Sequence, residues 1–426
     1  MKRFHIFLSI VCAFLLISCA KDKCTTKTTY LKYTPIYKSV DEIRQPISFE
    51  SARELKNPGK IYLYHSFILV NEQLEGIHIF DNSNPSNPVN LGFLKIQGNL
   101  DMAIKNNMLY ADSYIDLLTI DLSNPLNATL VDRDNNVFPS YGTDDNGRLL
   151  VAYKSEMVTE EVACGQIASP WGTPFEQGAV VAMSNQGGLT NSGFSSGRSG
   201  DATAGVGGSM ARFTVNGDYL YTVDNSSLHS FNITNRSNPE DLGSSTIGWA
   251  NIETIFPYQN MLFIGSNTGM FIYDISSPSQ PTLLSQFEHA NACDPVFVSG
   301  NRAYVTLRGG TRCQNFTNQL EVVDISDIQN PSLVSTHAMS NPHGLSIKND
   351  KLYLCDGAAG LKVFDSSDDF QISNRLVYHD NSISTYDVIA SPYRNVILVV
   401  GSDGLIQYDN SNPSNMIRLS KIPVVK

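Results

Sequence analysis

The sequence predicts an all-β fold made of repeated four-stranded units. Three observations support this prediction. Glycine, proline, asparagine and serine are plentiful, Tyr and Phe are frequent with 19 and 20 residues, and one polar phrase recurs along the chain. Such a composition is typical of many short strands joined by tight turns. The phrase is "FDNSNPSNP" at residues 80–88, and it returns as "YDNSNPSN" at residues 408–415.

Seven copies of one sequence unit contain this phrase or a variant of it. The unit reads, loosely, as an apolar strand, a turn, the pattern G-apolar-x-apolar-aromatic-D-x-S-x-P and a leucine-rich strand. The Asp or Asn of the pattern stands at Asp81, Asp121, Asn232, Asp274, Asp324, Asp365 and Asp409. The intervals between these positions are 40, 111, 42, 50, 41 and 44 residues.

A period of about forty residues with four alternating strands per unit indicates a β-propeller. One small sheet cannot bury both of its faces, so the units must stack around an axis. We predict seven clear blades. The interval of 111 residues also predicts an eighth, degenerate blade, which would take its first two strands from residues 136–157.

The recurring phrase lies at the predicted turn from the third to the fourth strand of each unit. There Asp or Asn accepts hydrogen bonds from backbone N–H groups two or three residues further on, and Pro fixes the φ angle of the turn. The phrase therefore has a structural role at the corner of each blade. Two corners depart from the pattern, at Asn232 and in "SSDDF" after Asp365, and are expected to be less regular.

The first nineteen residues are predicted to be an export signal. Lys2 and Arg3 precede an apolar run that is too short to span a bilayer comfortably. The ending "LISC" resembles a bacterial lipobox, which implies that Cys19 carries a lipid and anchors the chain to a membrane; the alternative is an ordinary signal peptide that contains Cys19. We expect a tether over residues 20–50 and a propeller over residues 51–426, with a Gly/Ser-rich insertion at about 164–209.

Export implies an oxidising compartment, in which cysteines form disulfides. Cys293 and Cys313 fall within one predicted blade and are the preferred pair; Cys24 with Cys164 is the second. Cys355 lies in the apolar strand pattern "KLYLCDG" and is expected to be a buried free thiol.

Several classes of function are disfavoured by the sequence. The net charge is −11 and no Lys/Arg cluster is present, which argues against a nucleic-acid partner. No CxxC, G-x-S-x-G, P-loop or dinucleotide glycine motif occurs, so neither a metal nor a cofactor is predicted. His337 and His343 are six residues apart and are not expected to share a metal.

An ionisable residue stands at a comparable position in the first strand of every clear unit, about twenty residues before the corner. These residues are Lys60, Asp101, Arg212, Glu253, Asp294, His343 and Asp387. In a propeller they would gather at one mouth of the central channel. One interpretation is structural: the side chains bond to backbone amides of neighbouring blades. The other is a polar, mostly acidic site for a cation, a sugar or a basic side chain.

The units resemble LVIVD repeats, and "LEVVDIS" and "MFIYDIS" contain the core of that pattern. The resemblance covers roughly residues 58–420 outside the insertion, and it implies a propeller at the exterior of bacterial or archaeal cells. Together with the lipobox, it is similar to cell-surface lipoproteins of Bacteroidetes type. The family implies no reaction and no catalytic residues.

The sequence therefore predicts an envelope lipoprotein, in the outer membrane, whose propeller binds a glycan or a protein. A glycan-active enzyme is the first alternative, with Asp101, Glu253, Asp294, His343 and Asp387 as its acid/base set. The second alternative is a structural subunit of an envelope complex. Trp171, Phe175 and Phe194 in the insertion would either contact a ligand or cap one end of the barrel.

Overall fold

The computed structural model describes residues 25–140, 142–163, 204, 206–209, 211–248, 251–289, 295–309 and 318–425. The chain divides into two compact units, residues 1–36 with 152–188 and residues 37–151 with 189–426. Strand β1 (Thr25–Lys38) pairs with β11 (Leu149–Ala163) in a two-stranded sheet that makes up most of the described part of the first unit. Within this sheet the Lys32 Nζ atom lies 3.5 Å from the Glu160 carboxylate.

The second unit begins with a helix, α1 (Val40–Ile43), and a strand, β2 (Ser48–Glu50). Seven four-stranded sheets follow, one after another in the chain. Blade 1 contains β3 (Pro58–Tyr64), β4 (Phe67–Glu72), β5 (Gly76–Asp81) and β6 (Val89–Lys95). Blade 2 contains β7 (Met102–Lys105), β8 (Met108–Ser113), β9 (Asp116–Asp121) and β10 (Thr129–Asp134).

The remaining blades follow β12 (Val206–Gly207). Blade 3 contains β13 (Phe213–Asn216), β14 (Tyr219–Val223), β15 (Ser227–Asn232) and β16 (Glu240–Thr246). Blade 4 contains β17 (Ile252–Tyr258), β18 (Met261–Ser266), β19 (Gly269–Asp274) and β20 (Thr282–Glu288). Blade 5 contains β21 (Val296–Ser299), β22 (Arg302–Leu307), β23 (Gln319–Asp324) and β24 (Ser332–Ala338). Blade 6 contains β25 (Leu345–Lys348), β26 (Lys351–Cys355), β27 (Leu361–Asp365) and β28 (Leu376–Asp380). Blade 7 contains β29 (Thr385–Ala390), β30 (Val396–Gly401), β31 (Gly404–Asp409) and β32 (Ile417–Pro423).

The seven blades form a ring, which confirms the predicted β-propeller. Within each blade the strands pair antiparallel in chain order. The first strands of neighbouring blades contact one another from β3 with β7 to β25 with β29, and β3 also contacts β30 of blade 7. Blade 1 is extended on both edges, by β2 beside β6 and by β12 beside β3.

The described residues of the 111-residue interval do not form the predicted eighth blade. Residues 149–157, which were expected to help build its first two strands, belong to β11 and pair with β1. Blades 2 and 3 contact each other directly, and the Lys105 Nζ atom of blade 2 lies 3.0 Å from the Asp218 carboxylate of blade 3. The ring therefore has no opening for another sheet between these two blades.

Apolar side chains fill the space between neighbouring sheets. Phe256 of blade 4 lies edge to face with Phe297 of blade 5, with ring centroids 4.9 Å apart. Leu109 and Tyr110 of blade 2 belong to the same buried cluster as Phe213 of blade 3. Burial of such faces is the main stabilising contribution in a propeller, because each blade alone would leave them in water.

The corner turns confirm the role predicted for the repeated phrase. In all seven blades the Oδ1 atom of the corner Asp or Asn accepts the backbone N–H two residues further on, at distances from 2.7 to 3.0 Å. Asn232 and Asp365 make the same bond. The irregularity expected at these two corners is therefore absent from the turn itself, although blade 6 adds a short 3₁₀ turn, Ile372–Asn374.

Two amides close the ring between blades 7 and 1. The Asn82 Nδ2 atom donates to Gln407 Oε1 at 2.9 Å, and Gln407 Nε2 donates to Asn82 Oδ1 at 2.8 Å. Both side chains are buried. Arg394 of blade 7 also donates to the Asn82 carbonyl oxygen at 2.9 Å.

Cys355 is buried and free, as predicted. Cys19, Cys24, Cys164, Cys293 and Cys313 lie outside the described residues, as do Trp171, Phe175 and Phe194. The lipidation site and both disulfide pairs thus remain predictions. Among the described residues, no helix has the length and apolar character needed to cross a membrane.

Candidate functional site at the hub

The candidate site is the inner rim of the ring, where the first strands of the blades meet. Lys60 lies in β3, Glu253 in β17 and Asp387 in β29. Asp101 and Arg212 lie directly before the first strands of blades 2 and 3, and His343 lies two residues before the first strand of blade 6. Asp294 lies outside the described residues. Antiparallel sheets with the same strand order bring equivalent positions of each blade to the hub, so the repeat alone accounts for this placement.

Lys60, Asp101 and Arg212 join three consecutive blades. The Lys60 Nζ atom donates to Asp101 Oδ2 at 2.8 Å, and the two side chains are only 12% and 4% exposed. The backbone N–H of Arg212 donates to the same oxygen. Burial lowers the pKa of Lys60, and the charge of Asp101 opposes this shift. The contact with Arg212 is of the kind expected if hub carboxylates bond to the backbone of the next blade.

Asp112, at the end of the second strand of blade 2, is a hub residue that the sequence analysis missed. Its Oδ1 atom accepts three bonds, from Leu100 N at 2.8 Å, Asp101 N at 2.9 Å and Asn99 Nδ2 at 2.9 Å. Burial raises the pKa of Asp112 to about 7. A carboxyl group with such a pKa exchanges protons near neutral pH, which is unusual for an aspartate.

A sequence signal for Asp112 did exist. Asp112 precedes its corner residue by nine positions, and Glu72 and Asp356 precede theirs by the same interval. Each of these carboxylates accepts backbone N–H groups of the segment that enters its blade: Asn57 bonds to Glu72, and Asn341 bonds to Asp356 at 2.7 Å. The pattern ties the start of a blade to its second strand.

The same carboxylates differ in their basic partners. Glu72 pairs with His78 at 3.0 Å and Asp356 with Lys362, in each case with the residue three positions before the corner. In blade 3, Asp224 pairs with His229 at 3.0 Å in the same way. In blade 2 the corresponding residue is Leu118, so no base on β9 compensates Asp112.

Asp387 is the most deeply buried of the predicted hub residues that the structure describes. Its side chain is fully buried, and Ser209 Oγ donates to Oδ1 at 3.4 Å. Burial raises the pKa of Asp387 well above its usual range, against the opposing effects of the Val388 N–H, the Ser209 hydroxyl and the Lys60 charge. The Oδ2 atom has no hydrogen-bond partner among the described residues. Glycine is required at position 344, because a Cβ atom there would lie 1.8 Å from Asp387 Oδ1.

His343, just before blade 6, contacts residues of both neighbouring blades, 5 and 7. The Arg308 guanidinium donates to Nδ1 of its ring, and the ring lies 5.6 Å from that of Tyr386. Burial, together with the charge of Arg308, lowers the pKa of His343 well below its usual range. The neutral imidazole therefore acts as a hydrogen-bond acceptor at the hub.

Arg212 continues the chain of contacts towards blade 4, since its Nη2 atom donates to the Ile252 carbonyl at 3.3 Å. The next residue, Glu253, is partly buried. Among the described residues, the hub contains the basic side chains of Lys60, Arg212 and Arg308 as well as the carboxylates of Asp101, Glu253 and Asp387. Within the described ranges, no group of three or more His, Cys, Asp or Glu side chains is placed to hold a metal ion.

Comparison with known proteins supports the fold. Residues 255–288 and 291–338 match the model of the LVIVD repeat, and these segments correspond to blades 4 and 5. No curated protein matches the chain in sequence.

Solved structures resemble the chain over most of its length. One is a protein from Lactobacillus plantarum, with 13% identity, coverage of 86% of this chain and 97% of that one, and a TM-score of 0.54. A second is the periplasmic gluconolactonase PpgL of Pseudomonas aeruginosa, with 10% identity, coverage of 86% and 96%, and a TM-score of 0.53. A third is the computationally designed protein Ika8, with 10% identity, coverage of 89% and 93%, and a TM-score of 0.50. At such identities the likeness concerns the fold alone.

Proposed function

We propose that the protein is a lipid-anchored propeller of the cell envelope that binds a partner instead of catalysing a reaction. One observation carries the binding part of this proposal: Asp101 Oδ2 accepts both the Lys60 ammonium and the Arg212 backbone N–H. A catalytic carboxylate must be available to a substrate, whereas this one already joins three blades. A rigid ring of this kind supports binding by the segments that it positions.

The membrane anchor is supported by the sequence of the first nineteen residues and by the LVIVD repeat, since the resemblance to that family implies an exported protein. We expect the full-length chain, expressed in a Gram-negative host, to incorporate labelled palmitate and to fractionate with membranes. Cys19→Ser should abolish both the label and the membrane fraction. A wild-type chain that carries no label and stays in the soluble fraction would refute the anchor.

Binding can be tested with the exported Cys19→Ser chain on glycan and peptide arrays. A saturable ligand with no turnover supports the proposal. Hydrolysis of an arrayed glycan would refute it and favour the enzyme.

The enzyme alternative is kept for one reason, which is the pKa of about 7 at Asp112. A carboxyl group with this pKa is suited to general acid/base catalysis at neutral pH. If the protein is a glycosidase, Asp112→Asn should lower its hydrolysis rate by at least about a hundredfold. Without measurable hydrolysis in the wild type, this alternative fails.

A further inference from the structure

The end of the Gly/Ser-rich segment lies inside the ring. Strand β12 pairs antiparallel with β3, with Val206 opposite Leu63 and Gly207 opposite Tyr62. The other edge of β3 is occupied by β4. Because β3 is the innermost strand of blade 1, β12 takes the edge that faces the central channel. Although this segment is rich in glycine and serine, residues 207–209 are buried.

Ser209 follows this short strand and bonds to blades 6 and 7, whereas the strand itself pairs with blade 1. Its hydroxyl accepts the Leu345 N–H of blade 6 at 2.7 Å and donates to Asp387 Oδ1 of blade 7 at 3.4 Å. Only three residues later, Arg212 N donates to Asp101 of blade 2. Ala211 accepts the Ile255 N–H of blade 4 at 2.8 Å. Three extended residues span about 10 Å. The described residues 206–209 and 211–212 therefore contact different parts of the ring, blades 1, 6 and 7 on the one hand and blades 2 and 4 on the other.

The contacts of residues 206–209 are those by which proteins recognise an extended peptide. A strand edge supplies backbone hydrogen bonds whatever the side chains, and pockets then read individual residues. Here the side chain that is read is a serine, bonded by the Leu345 N–H and by Asp387. The two residues before it are glycines that are buried in the ring. The edge thus selects small residues followed by a hydroxyl group.

Asp387 is prepared for such a ligand. Gly344 leaves the carboxyl group the space it occupies, since any larger residue would overlap its Oδ1 atom. Its Oδ2 atom is buried and makes no hydrogen bond to the described residues. A buried polar atom without a partner is costly. Because the pKa of Asp387 is raised, this oxygen can carry the proton and is expected to donate to an acceptor of a bound molecule, such as a backbone carbonyl.

We propose that the channel edge of β3, together with Leu345 N–H and Asp387, is a binding site for an extended peptide of the type Val-Gly-Gly-Ser, and that residues 206–209 are its self-supplied occupant. The inference rests on the proposed binding function and names the ligand class. A peptide from a partner protein competes with this internal segment, which is present at an effective concentration on the order of millimolar because it is tethered.

The test supplies the ligand in trans to the full-length chain. The double variant Val206→Pro/Gly207→Pro lacks the backbone N–H groups of both residues, so it cannot donate a hydrogen bond from either of them to β3. We expect amide hydrogen exchange to speed up in residues 61–64 and at Leu345. The synthetic peptide AGVGGSMA, which copies residues 204–211, should restore protection there and raise the Tm of the variant. The wild type should bind this peptide at least about tenfold more weakly than the variant.

Two controls keep the test decisive. The peptide AGVGGAMA lacks the serine hydroxyl and should bind the variant about three- to tenfold more weakly. If the proline variant does not fold, Ser209→Ala replaces it, with the exposed Ser86→Ala as its matched control. A folded variant that gains exchange but binds neither peptide overturns the proposal, as does a variant whose protection does not change. If the glycan and peptide arrays identify a different ligand, this inference is wrong, but the proposed binding function is not contradicted.

Discussion

The carboxyl group of Asp112 has a raised pKa at a position where the equivalent carboxylates of other blades have a basic partner. In blades 1, 3 and 6 the carboxylate near the end of the second strand has a basic partner three residues before the corner. In blade 2 that residue is Leu118, and burial raises the pKa of Asp112 to about 7. The carboxyl group still accepts the backbone N–H groups of Leu100 and Asp101, so it has a structural role whether or not it also acts on a substrate.

This titration predicts a loss of stability as the pH rises. The folded pKa of Asp112 is above that of an unfolded aspartate, so the folded state binds the proton more tightly and the free energy of unfolding falls between pH 4 and about pH 7. Asp112→Asn should remove on the order of 2 kcal/mol of the difference between pH 5 and pH 8, measured by urea unfolding. Asp387 contributes with the same sign in both proteins, because burial raises its pKa as well.

A matched control is Asp274→Asn. The hydrogen bonds from Ser276 lower the pKa of Asp274, so this group stays ionised from pH 5 to pH 8. Its variant should follow the pH dependence of the wild type. Parallel curves for wild type and Asp112→Asn would contradict the assignment.

The corner turn is the element that the sequence describes best. Its defining contact joins residues only two positions apart, as between Asp274 and Ser276 at 2.8 Å. Blade 3 makes the same bond with an amide, from Thr234 N to Asn232 at 3.0 Å. The oxygen acceptor therefore matters more than the charge, which explains why both residue types occur at this position.

We expect Asp274→Ala to lower the free energy of unfolding by about 1 kcal/mol, because the Ser276 N–H loses its acceptor. Asp274→Asn at neutral pH should change it by less than about 0.5 kcal/mol. Urea unfolding of the two variants decides the matter, and Asn232→Asp serves as the reverse substitution. Equal losses for Ala and Asn would show that charge, not the turn bond, stabilises the corner.

Ring closure belongs to the scale of the whole molecule. Asn82 and Gln407 are 325 positions apart and exchange two hydrogen bonds in a buried setting. Such a pair forms only when all seven blades are in place. Removing one member leaves the other amide buried without a partner, which lowers the free energy of unfolding by about 1–3 kcal/mol. Removing both members costs less than the sum of the two single losses, because no unpaired amide is left.

A double-mutant cycle tests this closure. Asn82→Ala and Gln407→Ala should each lower the free energy of unfolding by about 1–3 kcal/mol, and the double variant should lose at least about 1 kcal/mol less than the sum. Asp274→Ala combined with Gln407→Ala, in blades 4 and 7, should be additive. Additivity at both pairs would mean that the two amides are not coupled.

The sequence alone determined the repeat, the propeller, the corner turns and the buried Cys355. All of these depend on local contacts or on the regular alternation of strands, which a period of about forty residues preserves. The interval between Asp121 and Asn232 was misjudged as a blade because β11 has the same alternation but pairs with β1.

Only the tertiary structure decided what the hub residues contact. Asp101 meets Arg212 across 111 positions, and Ser209 meets Leu345 and Asp387 across 136 and 178. No periodicity specifies such pairs, because they depend on which blades become neighbours when the ring closes. The same holds for Val206–Ser209, whose composition is that of a flexible linker. The segment is buried because it pairs with the inner edge of β3. That edge faces the centre of the molecule only after the blades have closed into a ring.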